Sequence, residues 1–191
     1  MNQFDPQAYG PVFAPLLATD RRRPLGAGAP NAGARSALAG LSTEAALAHA
    51  KVVDCDMGAC CVSGVWLLHD YLDESHTISQ GIETPSGSFW HAIMHRREGD
   101  FSNAKYWLRR VGRHAVFEAL GQRAGELAAI RGAERTAKKL LTGGTWEPSA
   151  FVDLCEAAAR RQSADEELCC DIQQAEWELL FDHCYRAATR G

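Results

Sequence analysis

Residues 84–112 read TPSGSFWHAIMHRREGDFSNAKYWLRRVG, a pattern that predicts two consecutive helices. Thr84 followed by proline is typical of a helix start, because proline has no N–H to donate and its fixed φ suits the first helical position. Gly99-Asp100 should end this helix, Ser102 should cap the next one, and Gly112 should terminate it. The stretch therefore indicates helices packed against helices.

The same helical pattern continues on both sides of this stretch. Cap residues and apolar spacing predict helices from Ser42 or Thr43 to Val52, from Asp54 or Asp56 to Gln80, from His114 to Ile130, from Thr136 to Leu141, from Pro148 to Arg161, and onward from a capping box at Ser163–Glu166. No segment alternates with period two over enough residues to predict a sheet. We therefore expect an all-α fold, a single-domain multi-helix bundle that occupies residues 41–191.

Residues 1–40 have a different composition. They hold five of the seven prolines and five of the 17 glycines, which argues against long regular elements. Tyr9, Phe13 and Leu17 are apolar enough to anchor the segment. We expect an extended Pro/Gly-rich N-terminal arm that lies over the body, with mobility of residues 18–34 as the alternative.

Composition is that of a soluble globular protein. The 191 residues are 46% hydrophobic and 23% charged, which indicates neither a disordered nor a membrane protein. No apolar run approaches the roughly 18 residues of a spanning helix, and the first residues lack the basic and apolar parts of a secretory signal. We therefore expect a cytoplasmic protein with no membrane partner. Its seven cysteines, an odd number, are expected to be reduced core thiols.

A basic island lies within an acidic chain. The net charge is −4, yet residues 91–114 carry six Lys or Arg against two acidic residues. Such an island indicates a local anionic ligand more than an extended nucleic-acid surface, which usually makes a whole domain basic. The alternative is that these cations pair with acidic residues on neighbouring helices. The sequence predicts no particular oligomeric state.

His91 and His95 are four residues apart and share one face of the predicted helix. Two imidazoles at this spacing suit a divalent metal ion. The peptidase form of this motif needs a glutamate directly after the first histidine, where this chain has Ala92. Glu98 shares the face, but it is roughly 10 Å from His91 along the axis. The alternative is that the histidines form hydrogen bonds in a polar pocket or face solvent.

A third ligand is easier to recruit from the preceding helix. His69, Asp73, His76 and Gln80 form a polar stripe there, although its ends are about 16 Å apart and cannot meet at one ion. The connection at residues 81–84 is short enough to make the two helices neighbours. The predicted catalytic and metal-binding residues are His91, His95, His76 and Asp73.

Side chains suited to holding a ligand surround these histidines. Arginine and lysine can hold phosphate or carboxylate, and aromatic rings offer flat surfaces. Asn103 and Lys105 also lie near a predicted helix N-terminus, where backbone N–H groups favour anions. Trp107, by contrast, is expected to pack in the core. The predicted ligand-binding residues are Gln80, Trp90, Arg96, Asn103, Lys105, Tyr106 and Arg109.

The motif FWHAIMHRREGDFSNAKYWLRRVG, residues 89–112, resembles an uncharacterised family of bacterial and fungal proteins. Weaker likeness extends to residues 76–80 and 9–13. An aromatic residue is usual in that family at the position of Leu108, and a proline at the position of Ala115; both differences are adjustments of packing. The resemblance supports the placement of the site and implies no reaction.

Three functions fit these features. The first is a metal-assisted or histidine acid/base enzyme that acts on a small anionic substrate, where a divalent metal ion would activate water or polarise an oxyanion. The second is a non-catalytic binding module for a phosphorylated or carboxylated small molecule. The third is a helical partner-binding protein that docks through residues 1–40.

Overall fold

The computed structural model of the protein describes residues 4–161 and 165–190, and it confirms an all-α fold. Eleven α-helices lie in these ranges: α1 (Gly10–Leu17), α2 (Arg35–Ala39), α3 (Thr43–Ala46), α4 (Cys55–Leu68), α5 (Leu72–Ser79), α6 (Pro85–Glu98), α7 (Phe101–Val111), α8 (Val116–Ile130), α9 (Glu134–Lys139), α10 (Pro148–Arg161) and α11 (Asp165–Thr189). Short 3-10 turns at Pro6–Tyr9 and Ala32–Ala34 precede α1 and α2.

Helix α6 begins and ends where the sequence predicts. The Thr84 hydroxyl accepts a hydrogen bond from the Gly87 N–H at 3.0 Å, and Gly99 closes the helix with a φ of 86°. The cap predicted for α7 was wrong. Asp100, and not Ser102, accepts from the Asn103 N–H at 3.0 Å, because the acidic residue directly after Gly99 already lies where a helix cap is needed. Two residues therefore connect α6 and α7.

The long helix predicted from Asp54 to Gln80 was also wrong, because the chain breaks between α4 and α5. Asp70 lies in this break with a φ of 62°, the one positive value at a non-glycine position among the described residues. Its carboxylate is fully buried and is bound by Arg97 at 2.6 Å and by Arg23. The pairing of this carboxylate overrides local helix propensity, since an unpaired buried charge is very costly.

The break also removes His69 from the predicted polar stripe. The Nε2 atom of His69 lies 3.0 Å from the Leu16 carbonyl oxygen, and its Nδ1 lies 3.0 Å from the side-chain amide nitrogen of Asn31. His69 therefore fastens the N-terminal segment to the body. The stripe is divided between two elements and has no common face.

Residues 4–40 are laid over the helical body and contain the eight-residue helix α1. Tyr9 and Phe13 are buried and make edge contacts with the Phe181 ring of α11. Further along, Arg97 donates to the carbonyl oxygens of Gly26 at 2.8 Å and Ala27 at 3.1 Å. The long side chain of one α6 residue thus holds this segment in place.

Three further details depart from the sequence-based expectations or lie beyond them. Helix α3 ends at Ala46 instead of reaching Val52, because Leu47 leaves the helix and is completely buried. A two-stranded antiparallel hairpin, β1 (Leu141–Thr142) and β2 (Thr145–Trp146), forms where no sheet was expected, around a turn of two glycines with positive φ. The capping box proposed at Ser163 lies outside the described residues.

Helix α11 crosses the centre of the core. Its Trp177 ring packs edge-on against Trp90 of α6, and its indole N–H donates to the Gly64 carbonyl oxygen of α4 at 3.0 Å. Six of the seven cysteines are buried, and all are free thiols. No helix within the described ranges is both long and apolar enough to span a membrane.

We expect Arg97→Met to destabilise the protein by about 3–5 kcal/mol, because it removes one partner of a buried ion pair. The substitution also leaves the carbonyls of Gly26 and Ala27 without their donor. Urea unfolding measures the change. Arg123→Met is the matched control, because this half-buried arginine pairs with Glu126 of its own helix and its loss should cost no more than about 1 kcal/mol. Equal losses in the two variants would contradict the central role of Arg97.

We expect Gly64→Ala to destabilise the protein and Gly125→Ala to stabilise it. A Cβ at Gly64 would stand 2.8 Å from ring atoms of the buried Trp90, whereas a Cβ at Gly125 meets nothing within 4 Å. Overpacking should cost about 1–3 kcal/mol at the first position, and higher helix propensity should contribute up to about 1 kcal/mol at the second. Thermal unfolding of both variants tests the difference; stabilisation by Gly64→Ala would refute this packing.

Candidate metal centre

Three histidines from two helices meet at one point. His76 of α5, His91 and His95 of α6 each offer a ring nitrogen, and these three atoms lie within 4.8 Å of one another. The ring centroid of His91 lies 4.7 Å from that of His76 and also 4.7 Å from that of His95. Nitrogens bound to one zinc ion are about 3.3 Å apart in tetrahedral geometry, so metal binding would draw the rings inward.

Hydrogen bonds at the rear of two rings determine which nitrogen remains available. The Ser79 hydroxyl lies 3.3 Å from the His76 carbonyl oxygen, to which it donates, and 3.3 Å from Nδ1 of His91. In this arrangement the hydroxyl oxygen can accept from the Nδ1–H of His91. The Nδ1–H of His95 donates to the Glu98 carboxylate at 3.1 Å. Both rings are left with a free Nε2 lone pair, the tautomer that a metal ligand requires.

Burial keeps these imidazoles neutral. His91 is 2% exposed and His95 is 5% exposed. Burial, together with the neighbouring rings of His95 and His76, lowers the pKa of His91 to about 3. Burial also lowers the pKa of His95, against the opposing effect of Glu98. At neutral pH the lone pairs of His91 and His95 are therefore available to a cation.

Trp107 of α7 covers one side of the cluster. Its ring stacks on His91 at a centroid distance of 4.0 Å and an interplanar angle of 29°, and the Arg110 guanidinium lies 5.1 Å from the Trp107 centroid. The sequence predicted a packing role for Trp107, but helical spacing alone did not reveal its partner. The stack restricts rotation of the His91 ring and shields it from solvent.

The structure brings His76 to the pair and leaves Asp73 outside it. Asp73 on α5 and Gln80 directly after this helix are both exposed, and Asp73 is not among the residues whose ligand atoms converge. The sequence left the third ligand open between Asp73 and His76. The break between α4 and α5 sets the direction of α5, and the geometry favours His76.

Three of the predicted ligand-binding residues have partners elsewhere. Trp90 is fully buried against Trp177. Arg96 is buried and is paired with Glu176, while its guanidinium also lies over the Phe151 ring. Lys105 pairs with Asp153 of α10. The basic island is therefore neutralised in part by acidic residues on neighbouring helices, the alternative that the sequence left open.

The remaining predicted ligand-binding residues lie on α7. Tyr106 is 45% exposed, and the guanidinium of Arg109 lies 5.8 Å from its ring centroid. Asn103 is half-buried in the first turn of α7. Arg109 also lines an open cleft of about 990 Å³ between α7, α8 and the hairpin, where it is joined by Arg113, Phe117 and Trp146. This cleft is a separate feature from the histidine cluster.

Sequence reasoning missed Ser79 entirely. It lies three residues after His76 and is buried, but a serine near a helix end carries no signal beyond that of a common cap. The sequence analysis considered Glu98 as a direct ligand, whereas in the structure its carboxylate accepts a hydrogen bond from Nδ1 of His95 at 3.1 Å. The spacing of three residues between His95 and Glu98 was the available signal, because such pairs meet on a helix surface.

No known protein family, curated protein or solved structure matches the chain. The geometry of the three histidines and their hydrogen-bond partners is therefore the basis for any functional proposal.

We expect the metal-free protein to lose stability as the pH falls from 7 to 5. An unfolded histidine binds a proton near pH 6.5, whereas folded His91 does so near pH 3. The contribution of His91 is therefore complete above pH 6.5 and is lost as the pH falls toward 3, by about 2 kcal/mol at pH 5. Unfolding free energies of wild type and His91→Gln should show a shallower decline in the variant. Parallel curves would contradict the burial of a neutral ring.

Proposed function

We propose that this protein binds a divalent metal ion, with zinc as the best fit, through His76, His91 and His95, and uses the open coordination position to activate water or polarise an oxygen. The convergence of three ring nitrogens carries this proposal. Three protein ligands with one open position are the arrangement of catalytic zinc sites, whereas structural sites use four protein ligands.

The hydrogen bonds behind the rings support the same reading. Metal-bound histidines usually donate their other N–H to a carboxylate, hydroxyl or carbonyl group, which fixes the tautomer and raises the basicity of the ligand. Glu98 is in the position of this acceptor for His95, and Ser79 is in the same position for His91. A metal-free acid/base role is less well supported, because the low pKa of His91 leaves no proton to donate at neutral pH.

A binding function at a different place has a separate observation in its favour. The cleft between α7, α8 and the hairpin is large enough for a small molecule, and Arg109 and Arg113 lie in its wall beside Phe117 and Trp146. A carboxylated or phosphorylated compound with an apolar body fits this combination. Stabilisation by such compounds that disappears in Arg113→Gln, but persists in His91→Gln, would support this second function.

The metal proposal is tested on protein purified without a histidine tag. We expect elemental analysis to find one zinc per chain, and cobalt(II) exchanged into the site to show the strong visible absorption of four-coordinate cobalt. His76→Gln, His91→Gln and His95→Gln should each weaken metal binding by at least about a hundredfold. Glu98→Gln should weaken it less, about tenfold, because it alters only the partner of His95.

His49→Gln is the matched control, because His49 is an exposed histidine that bonds Tyr185 and lies outside the cluster. Its metal affinity should equal that of wild type. The proposal fails if metal binds with equal affinity after substitution of all three clustered histidines, or if the folded wild type binds no transition metal.

A further inference from the structure

We infer that the cleft between α7, α8 and the hairpin binds a zwitterion with an apolar body, such as an amino acid or a dipeptide, because arginines and glutamates without ion-pair partners line it together. This inference rests on the second function proposed above and names its class of ligand. It adds an ammonium group to the carboxylated compound proposed there, and it does not depend on the histidine cluster.

Side chains of both charges line this cleft of about 990 Å³. Arg109 comes from the last turn of α7, and Arg113 comes from the connection that follows this helix. Glu118 lies in the first turn of α8, and Glu147 directly follows β2. Positive and negative groups in one cleft are what a ligand with both a carboxylate and an ammonium group requires.

These four side chains are not neutralised by their neighbours. Among the described residues, none of the four forms an ion pair with another of them or with any other group. Arg96 and Lys105, from the same basic island, are both paired with acidic residues. The guanidinium of Arg109 lies 5.8 Å from the Tyr106 ring centroid, a contact that does not neutralise its charge. The four charges are therefore available to a ligand.

His114 also lines the cleft but adds no charge at neutral pH. Burial, together with the neighbouring His183 ring, lowers its pKa to about 4. Its Nδ1 accepts from the Val116 N–H at 3.2 Å, and its Nε2 lies 3.0 Å from the Ser86 hydroxyl oxygen. Both ring nitrogens are thus engaged within the protein. The charged groups that line the cleft remain two arginines and two glutamates.

This balance of charges distinguishes a zwitterion from a simple anion. An anion that approaches the two arginines also meets the two glutamates, whose repulsion offsets part of the attraction. A zwitterion can direct its carboxylate toward an arginine and its ammonium group toward a glutamate, so that both contacts are attractive. Leu108, Phe117, Leu141 and Trp146 add apolar surface to the same cleft. An apolar side chain on the ligand would gain free energy by covering this surface.

Glu147 is the glutamate better suited to hold the ammonium group. Its backbone N–H donates to the Leu140 carbonyl oxygen at 2.8 Å, which extends the pairing of the hairpin by one residue. The residue is half-buried, whereas Glu118 is exposed. A carboxylate on a fixed backbone that is partly shielded from solvent loses less entropy and is screened less when it binds a cation.

Four probes that share a phenyl group test the inference on the full chain. Phenylalanine and alanyl-phenylalanine carry both charges at two separations, 3-phenylpropionate carries only the carboxylate, and 2-phenylethylamine carries only the ammonium group. Isothermal titration calorimetry at pH 7 and low ionic strength measures each affinity. At least one zwitterion should bind wild type about threefold to tenfold more tightly than either singly charged probe.

We expect Arg113→Gln and Glu147→Gln each to weaken binding of that zwitterion by about threefold to tenfold. Glu118→Gln should weaken it less, because this glutamate is exposed. Arg113→Gln should not weaken 2-phenylethylamine, and Glu147→Gln should not weaken 3-phenylpropionate, since each probe lacks the charge that the variant no longer meets. Arg123→Gln and Glu126→Gln are the matched controls, because these residues pair with each other on α8 and do not line the cleft; no affinity should change.

The outcomes separate the two proposals. If none of the four probes binds, the second function and this inference are both overturned. If 3-phenylpropionate binds at least as tightly as both zwitterions and loses affinity in Arg113→Gln, the anionic function stands and this inference alone is overturned. A zwitterion affinity that is unchanged in Arg113→Gln, or in both glutamate variants, also overturns this inference.

Discussion

Three parts of the molecule meet at the buried carboxylate of Asp70: the break between α4 and α5, the last turn of α6, and the segment that follows α1. Arg97 supplies the charge from α6 and Arg23 supplies it from the N-terminal segment. Gly28 passes so close that a Cβ would stand 2.6 Å from the Asp70 carboxyl group. Because a buried carboxylate is tolerated only when its hydrogen bonds are complete, these parts are constrained together.

The break at Asp70 has a consequence for the histidine cluster. A continuous helix from Asp54 to Gln80 would extend α4 in a straight line, whereas the break lets α5 take a direction of its own and deliver His76 to α6. The first turn of α6 packs closely against the connection that precedes it, since a Cβ on Gly87 would stand 2.4 Å from the Ile82 carbonyl oxygen. The three clustered histidines are thus positioned by an ion pair that contains none of them.

Local features were readable from the sequence and long-range ones were not. Thr84, Pro85 and Gly99 act on neighbouring backbone groups, so they predicted the bounds of α6 correctly, and helical periodicity placed His91 beside His95. The partners of Asp70 and Arg96 are 27 and 80 residues away. Nothing in their local sequence distinguishes a buried, paired arginine from one that binds a ligand, so the sequence overestimated the number of free cations near the site.

The three histidines are better suited to share a metal ion than to share a proton. Folding brings one ring nitrogen each from His76, His91 and His95 within 4.8 Å of one another, and neutral acceptors cannot satisfy one another. A proton would resolve the conflict, but burial disfavours a charged ring, as the low pKa of His91 records. A divalent ion accepts three lone pairs at once and so recovers far more of the desolvation cost. Because the unfolded chain lacks this arrangement, binding should also stabilise the native state.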